Sequence, residues 1–301
     1  MQEINVLSLF DGIACGRVAL ERAGVKINRY IASEINAHAI KCATTNYPDI
    51  EEIGDIKELN VSNLPKIDLV IGGSPCQGFS SSGKGLNFKD PRSQLFFEFV
   101  RILREVKPKY FLLENVKMRK EWSDVISKYM GVSPIEINSS LVSAQNRSRL
   151  YWTNIPNVSL PADKGVCLSD ILENEEGMQL NKGTIIGRRL NEKGHREDYN
   201  HAIPIVQCLE VRRTNTNKSN CITTVDKDNV LTPLPFGRYP DAFRRNLPFR
   251  YYTIKEYCRL QTLPDNYTDM ISDQQARKAL GNCWTVDVIA HIFSGLKGVF
   301  E

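Results

Sequence analysis

The sequence has no apolar run long enough to cross a membrane and no basic leader before its first predicted strand. These absences exclude a membrane-spanning chain and predict a cytoplasmic enzyme without a membrane partner. Its eight cysteines are scattered, with no close pair at the spacing of metal ligands. We therefore expect reduced thiols, and neither a zinc site nor a disulfide framework.

Histidine is scarce, with four residues, and none of them lies in a recognisable motif. This disfavours a thiol hydrolase, whose cysteine needs a histidine base. The dinucleotide fingerprint Gly-x-Gly-x-x-Gly is also missing, because the first glycine-rich turn has the spacing Gly-x-x-x-Gly. The turn by itself indicates only a tight connection between a strand and a helix.

The charge of the chain is unevenly distributed. The 301 residues have a net charge of +4, but the segment 182–250 contains thirteen Lys and Arg against seven Asp and Glu, so the remainder is slightly acidic. A basic segment on a near-neutral body predicts a polyanionic partner held by one region. With 42% hydrophobic residues, the chain can bury the core of one large domain that carries a smaller lobe.

An apolar run from Leu69 to Ile71 stops at two glycines and leads to Ser74-Pro75-Cys76. This pattern predicts a buried strand that ends in an exposed thiol, which is a candidate nucleophile. The alternative is that Cys76 is a small buried hydrophobe, as most free cysteines are.

Strands and helices alternate around this run. Residues 5–10 predict a strand, 17–23 a helix, and 29–33 a second strand that ends in Glu34, at the distance from the first turn where nucleotide sites place a ribose-binding acid. Asp55 follows a third strand and could accept from an adenine amine. The alternation predicts an α/β fold with a doubly wound parallel sheet and a site at the carboxyl ends of its strands.

Further candidates follow in the chain. Residues 80–85 form a small-residue segment that is either a surface loop or a lid, and 92–106 have the apolar spacing of a helix. Glu114 ends a fifth apolar strand, where a carboxylate is costly unless it is paired or used. Arg147 and Arg149 would face the same way in an extended segment and could bind a phosphate or a base carbonyl, or form a solvated face.

Six ordered motifs resemble those of the DNA (cytosine-5) methyltransferase family. They are Phe10-Asp11-Gly12-Ile13-Ala14-Cys15-Gly16, Gly73-Ser74-Pro75-Cys76-Gln77, Glu114-Asn115-Val116, Gln145-Asn146-Arg147-Ser148-Arg149, Arg259-Leu260-Gln261-Thr262-Leu263-Pro264 and Gly281-Asn282-Cys283-Trp284-Thr285-Val286. The residues of several motifs are similar to those of vertebrate de novo methyltransferase catalytic domains, although the size of the chain indicates a stand-alone bacterial or phage enzyme.

The resemblance implies a Rossmann-like sheet that binds S-adenosylmethionine, with S-adenosylhomocysteine as the product and no metal. It places a catalytic and cofactor domain at 1–177, rejoined by 253–301, and a target-recognition domain at 178–252. The helix before this domain would be Cys167 to Leu172. The implied cofactor residues are Phe10, Asp11, Gly12, Ile13, Ala14, Cys15, Gly16, Glu34, Ile35, Asp55, Ile56, Asn282, Cys283 and Trp284. Ile35 departs from the aromatic residue often found there.

The resemblance also assigns the catalytic roles. Cys76 would add to carbon 6 of a flipped-out cytosine, Glu114 and the Pro75 carbonyl would hold N3 and the amine, and Arg147 or Arg149 would hold O2. The partner would be duplex DNA, with a cognate restriction endonuclease as a second candidate partner. The DNA-binding candidates are Gln77, Ser82, Lys84, Arg188, Arg189, Arg212, Arg213, Lys218, Thr223, Thr224, Arg244 and Arg245.

Two other functions fit the same motifs. One branch of the family methylates transfer RNA with the same cysteine, and a basic lobe does not distinguish the two polymers. A catalytically silent DNA-binding regulator is the other alternative. It is disfavoured, because such a protein need not keep Cys76, Glu114, Arg147 and the cofactor turn.

Overall fold

The computed structural model describes residues 3–75, 94–173, 180–212 and 217–299. Five of the candidates, Cys76, Gln77, Ser82, Lys84 and Arg213, lie outside these ranges, and so does the segment 80–85. None of the described helices has the length and apolarity needed to cross a membrane.

The first part of the chain builds a seven-stranded sheet with the order β3-β2-β1-β4-β5-β7-β6. Its strands are β1 (Ile4–Leu9), β2 (Ile27–Ser33), β3 (Ile50–Glu52), β4 (Leu69–Gly72), β5 (Tyr110–Val116), β6 (Ile135–Asn138) and β7 (Ser148–Thr153). The α-helices of the described residues are α1 (Cys15–Arg22), α2 (Ala37–Asn46), α3 (Gln94–Val106), α4 (Lys120–Met130), α5 (Ile254–Leu260), α6 (Asp273–Asn282) and α7 (Val286–Phe293).

Apolar side chains cover both faces of this sheet. Successive residues of a strand point to opposite faces, so Val6, Ile71 and Leu112 belong to one buried cluster, with α1, α2 and α5 to α7. Leu7 and Val70 belong to the other, with α3 and α4. Near-continuous apolar strands are what a sheet covered on both faces requires, and the predicted α/β class is confirmed.

One strand, β7, departs from the predicted parallel arrangement. The pairings β3-β2-β1-β4-β5 are parallel, but β7 runs antiparallel to both β5 and β6. The connection between β6 and β7 explains the difference, because it spans only 139–147, whereas a parallel crossover needs a dozen or more residues.

The basic segment forms a second, antiparallel sheet with the order β11-β9-β8-β10-β12. We call this sheet and its connections the lobe, residues 180–212 and 217–251. Its strands are β8 (Asn181–Arg188), β9 (Val206–Val211), β10 (Val230–Thr232), β11 (Gly237–Tyr239) and β12 (Arg250–Tyr251). Before the lobe, the helix expected at 167–172 is a single 3₁₀ turn, Leu168–Asp170.

Candidate active site

A cavity of about 600 Å³ lies at the carboxyl ends of the parallel strands. Residues at or just after the ends of β1 to β5 line it, together with the end of α6. Carboxyl ends of neighbouring parallel strands meet at one edge of a sheet, which explains why residues far apart in the chain converge here. Twelve of the fourteen cofactor candidates line the cavity, namely Phe10, Asp11, Gly12, Ile13, Cys15, Glu34, Ile35, Asp55, Ile56, Asn282, Cys283 and Trp284.

The other two candidates are buried, Ala14 at the end of the turn that connects β1 to α1 and Gly16 in the first turn of α1. Phe10, Gly12 and Ala14 all have φ near +60°, so the backbone of this turn is in the left-handed region three times within five residues. At Gly16, an added Cβ would lie 2.4 Å from the Ile71 side chain. Gly16 therefore serves the close packing of α1 on the sheet.

Glu34 closes the turn from the neighbouring strand. One carboxylate oxygen accepts from the backbone N–H of Gly12 at 2.9 Å, and the other accepts from the N–H groups of Ile35 and Asn36, also at 2.9 Å. These bonds fix the carboxylate at the mouth of the cavity. Asp55 is held similarly, since its side chain accepts from the backbone of Lys57 at 3.0 Å. The Ile35 side chain is 73% exposed there.

Asp11 is a carboxyl group without a cationic partner among the described residues. It accepts from the hydroxyls of Ser8 at 2.5 Å and Tyr30 at 2.7 Å, while its second oxygen is buried with no hydrogen-bond partner in the described chain. Burial raises the pKa of Asp11 to about 6. Burial also raises the pKa of Glu52, at the end of β3, to about 7. Asp11, Glu34 and Asp55 thus give this end of the cavity several carboxyl groups.

Glu114 lies across the cavity at the end of β5. Its carboxylate is ion-paired with Arg149, whose Nε lies 3.0 Å from it, and accepts from the Trp284 indole N–H at 3.2 Å. An added Cβ on Gly73 would lie 3.0 Å from both the Glu114 carboxylate and the indole nitrogen. A glycine at 73 therefore allows these groups to approach the backbone that leads to Pro75.

Pro75 is the last described residue before Cys76, and it lines the same cavity as Glu114. The buried Asn115 supports this segment, because its amide donates to the carbonyl and hydroxyl oxygens of Ser74 at 3.5 and 3.4 Å. The sequence shows Asn115 as part of a motif but gives no sign of this contact. The sequence likewise gives no sign of the hydrogen bonds from Trp284 to Glu114 and from Tyr30 to Asp11.

Arg147 has a different position from the one expected of a base-binding residue. It is only 4% exposed, and its guanidinium donates to the backbone carbonyls of Ile222 at 3.0 Å, Cys283 at 2.9 Å and Gly281 at 3.3 to 3.4 Å. Although it borders the cavity, its contacts join the lobe to the end of α6. Arg147 is thus a positioning residue, and Arg149 is the arginine beside Glu114.

The DNA-binding candidates in the lobe divide into two groups. Arg188 is a correction to the sequence-based assignment, because it is buried and ion-paired with Glu210 and Asp198. Lys218 donates to three backbone carbonyls, those of Ser140, Ser143 and Val166, which indicates a structural role. The other group has more accessible side chains. Arg189, which contacts Asp198, and Thr223 are half-buried. The exposed members are Arg212, Thr224, Arg244 and Arg245.

Comparison with known proteins identifies the family. The model of the C-5 cytosine-specific DNA methylase family matches residues 4–124 and 140–298. The Type II methyltransferase M1.ScrFI of Lactococcus lactis subsp. cremoris is 31% identical over 317 aligned positions, which cover 99% of this chain and 79% of that protein. The Type II methyltransferase M.NlaX of Neisseria lactamica is 28% identical, with 99% and 97% covered.

A solved structure shows the same fold. The Entamoeba histolytica methyltransferase EhMeth superposes with a TM-score of 0.72 at 20% identity, covering 99% of this chain and all of that one. The motifs, the cavity and the full-length matches agree, and the chain belongs to the C-5 cytosine-specific DNA methylase family as a DNA cytosine methyltransferase.

Proposed function

We propose that this enzyme transfers a methyl group from S-adenosylmethionine to carbon 5 of a cytosine flipped out of duplex DNA, through a covalent bond between Cys76 and carbon 6. The observation that carries the proposal is the position of Glu114. Its carboxylate, paired with Arg149, faces the same cavity as Pro75 and the turn after β1. Cys76 follows Pro75 directly in the chain.

The residues of the cavity fit the proposed cofactor. Its volume of about 600 Å³ lies in the range of small-molecule sites. S-adenosylmethionine carries positive charge on its sulfonium and ammonium groups, and the cavity offers the carboxyl groups of Asp11, Glu34 and Asp55. The second oxygen of Asp11 is buried without a hydrogen-bond partner in the described chain. Glu34 would hold the ribose, Asp55 the adenine amine, and Phe10 the adenine ring.

The chemistry requires a nucleophile because carbon 5 of cytosine is too weakly nucleophilic to take a methyl group unaided. Addition of the Cys76 thiolate to carbon 6 forms a C–S bond and moves electron density to carbon 5. Glu114 would hold a proton at N3 and, with the Pro75 carbonyl, accept from the exocyclic amine, which neutralises the charge that develops on the ring. Arg149 would donate to O2 while fixing the Glu114 carboxylate.

Bound S-adenosylmethionine supplies the electrophilic methyl group. After the transfer, carbon 5 loses its proton to a base, carbon 6 releases the thiolate, and the ring regains its aromaticity. In the same step N3 gives its proton back to Glu114, which supplied it when the thiolate added to carbon 6. A base stacked in the duplex cannot reach both the thiol and the cofactor, so the target cytosine must leave the helix.

Labelled methyl transfer tests the proposal. With tritiated S-adenosylmethionine and a mixed-sequence duplex, we expect 5-methyldeoxycytidine as the labelled nucleoside. Cys76→Ser should lower this activity by at least about 10³-fold while cofactor affinity, measured by calorimetry, stays nearly constant. Cys167→Ser is the matched control, because Cys167 is a free thiol outside the cavity.

Three results would contradict parts of this proposal. Equal activity of Cys76→Ser would remove the covalent mechanism. Labelling of transfer RNA but not of the duplex would move the enzyme to the RNA branch. Binding of DNA without any labelled product would support the silent regulator.

We also propose a cognate restriction endonuclease as the biological partner. The support is that M1.ScrFI and M.NlaX are both named type II methyltransferases. A third relative is by contrast named an orphan methyltransferase. It is M.Rho11sI of Bacillus phage rho11s, 42% identical over 192 residues, which cover 58% of this chain and 35% of that protein. The test is a nuclease encoded beside this enzyme. If it cuts only duplexes that the enzyme has not methylated, the proposed partnership is supported; if it cuts methylated and unmethylated duplexes alike, the partnership is contradicted.

A further inference from the structure

One face of the lobe's sheet carries a network of charged side chains. Glu210 of β9 lies opposite Thr184 of β8 and Arg238 of β11. The neighbouring residues of β9, Leu209 and Val211, point to the other face, where they pack with Ile185 in the core of the lobe. The charged network is therefore on the face directed away from this core.

Glu210 is the centre of the network. It is only 5% exposed, and it accepts from Arg188 Nε at 2.8 Å, Arg212 Nη2 at 2.8 Å and Arg238 Nε at 3.0 Å. The guanidiniums, Arg188 first, hold the pKa of Glu210 at about 2, so the carboxylate is charged at neutral pH. A buried carboxylate shared by several arginines fixes where their side chains lie.

A second carboxylate extends the network. Asp198, on the connection between β8 and β9, accepts from Arg188 at 3.2 Å and from Arg196 Nε. The four arginines and two carboxylates leave a surplus of two positive charges. Arg196, Arg212 and Arg238 border a cavity of about 460 Å³, which Glu210, Val211 and Gly237 also line.

The accessible part of the network is cationic. The side chain of Arg212 is 69% exposed and that of Arg196 is 53% exposed, whereas Glu210 lies beneath them. A guanidinium has five N–H donors, and the bonds from Arg212 and Arg238 to Glu210 that the described residues show use one nitrogen each. Donors on separate arginines that surround one cavity suit a tetrahedral anion, whereas a base edge is read by a single protruding bidentate arginine.

We propose that Arg196, Arg212 and Arg238 form a binding site for one backbone phosphate of DNA, with Glu210 and Asp198 as positioning residues. This inference rests on the proposed function, in which duplex DNA is the substrate. It assigns Arg196 and Arg238 a role that the sequence analysis did not give them, and it assigns Arg212 to backbone binding. Phosphate contacts fix the register of a protein on the duplex without reading its sequence.

The salt dependence of DNA binding tests the site. Affinities of the wild type, Arg212→Ala and Arg212→Lys are measured by fluorescence anisotropy at several salt concentrations, on a methylatable duplex and on an unrelated duplex. We expect Arg212→Ala to reduce the slope of log K against log [salt] by about 1 and to weaken both duplexes by the same factor. Arg212→Lys should keep the slope, because a lysine retains the charge that a phosphate needs.

Arg29→Ala is the matched control. Arg29 is also an exposed arginine paired with a glutamate, Glu51, but it lies near the amino end of β2, far along that strand from the edge that carries the active site. Its replacement should leave the slope and both affinities unchanged. Arg196→Ala serves as a second site variant, with the same expected loss as Arg212→Ala.

Four outcomes separate this site from the proposed function. An unchanged slope in both site variants of an enzyme that binds and methylates DNA overturns the site alone, and the network is then an internal one. Loss of affinity only on the methylatable duplex also overturns it in favour of base reading. The expected slope change without any methylation supports the site and contradicts the proposed function. Absence of wild-type binding to either duplex overturns both.

Discussion

Glu114 and Asp11 are carboxyl groups of the same cavity with different surroundings. Glu114 has a guanidinium at 3.0 Å and an indole N–H at 3.2 Å. Among the described residues Asp11 has two hydroxyl donors and no cation, and burial raises its pKa to about 6. Different environments suit different tasks. A paired carboxylate can be aimed at a base, whereas burial without a cationic partner favours the neutral form of a carboxyl group.

The pKa of Asp11 predicts a dependence of stability on pH. An ordinary Asp has a pKa near 3.8, so between about pH 4 and pH 6 the folded protein binds the proton more tightly than the unfolded chain. The free energy of unfolding therefore falls as the pH rises through this window and levels off above it. A difference of about two pKa units corresponds to at most about 3 kcal/mol.

Asp11→Asn should remove this dependence. Chemical denaturation of the variant and the wild type at pH 4 to 8 measures it, and the stability of the variant relative to the wild type should increase between pH 4 and pH 6. Parallel profiles would contradict the buried, cation-free environment. The Asp11 charge contributes to the raised pKa of Glu52, so the difference between the two profiles includes this coupling.

Sequence patterns predicted the position of candidate residues well where an apolar run marks the end of a strand. Glu34 and Glu114 each follow an apolar run, so their placement at the carboxyl edge was predictable. The partners of Arg147 were not, because the carbonyls it binds lie 75 to 136 residues away along the chain. A motif marks such a residue without showing that its contacts are with the backbone.

At the scale of elements, α6 packs closely against the lobe at Gly281. An added Cβ on Gly281 would lie 2.5 Å from the carbonyl carbon and oxygen of Thr223 and 2.8 Å from the nitrogen of Thr224. Because these are backbone atoms, a side chain at 281 must displace the segment. The same helix end supplies carbonyl acceptors for Arg147, so the contact connects the lobe to the cavity.

Gly281→Ala should therefore destabilise the protein although alanine favours a helix. Overpacking of this kind costs about 1 to 3 kcal/mol, against the roughly 1 kcal/mol that alanine gains over glycine within a helix. Thermal unfolding should show a lower Tm and methyl transfer a lower rate. Gln274→Ala, at an exposed position of the same helix, is the control and should change Tm little. A Tm of Gly281→Ala above that of the wild type would contradict the packing described.

The apolar strands of the larger sheet were easier to predict from the sequence than the short strands of the lobe. Strands β1, β2, β4 and β5 lie in the middle of the sheet as apolar runs, which sequence patterns show well. Strands β10, β11 and β12 have only two or three residues each, and pairing with neighbours, not local pattern, defines them. The lobe was therefore predictable as a basic segment but not as a five-stranded sheet.

At the scale of the whole molecule, one buried carboxylate contacts both of the chain segments that connect the larger sheet to the lobe. Glu256 on α5 is fully buried. It accepts from the backbone of Glu173, where the chain leaves the larger sheet, at 3.0 Å, and from Thr253, where it returns, at 2.9 Å. Its remaining contacts are two hydrogen bonds from Arg250, at 2.8 and 2.9 Å. Glu256 is thus placed to hold the lobe beside the cavity.

Glu256→Gln should cost more stability than loss of a surface ion pair. Removing one member of a buried pair typically costs about 3 kcal/mol or more, whereas an exposed pair contributes about 0 to 1 kcal/mol. Glu51→Gln, which breaks the exposed pair with Arg29, is the control. Urea denaturation compares the two variants, and equal losses would show that Glu256 does not act as this link.

The central claim is that Cys76 forms a covalent bond with a cytosine beside Glu114. The most direct measurement is mass spectrometry after incubation of the enzyme and S-adenosylmethionine with a mixed-sequence duplex that contains 5-fluorocytosine, whose carbon-5 fluorine cannot leave as a proton does. We predict a stable adduct of protein and methylated DNA in which the modified peptide contains Cys76. Methylation of the unmodified duplex with no adduct at Cys76 would contradict the account.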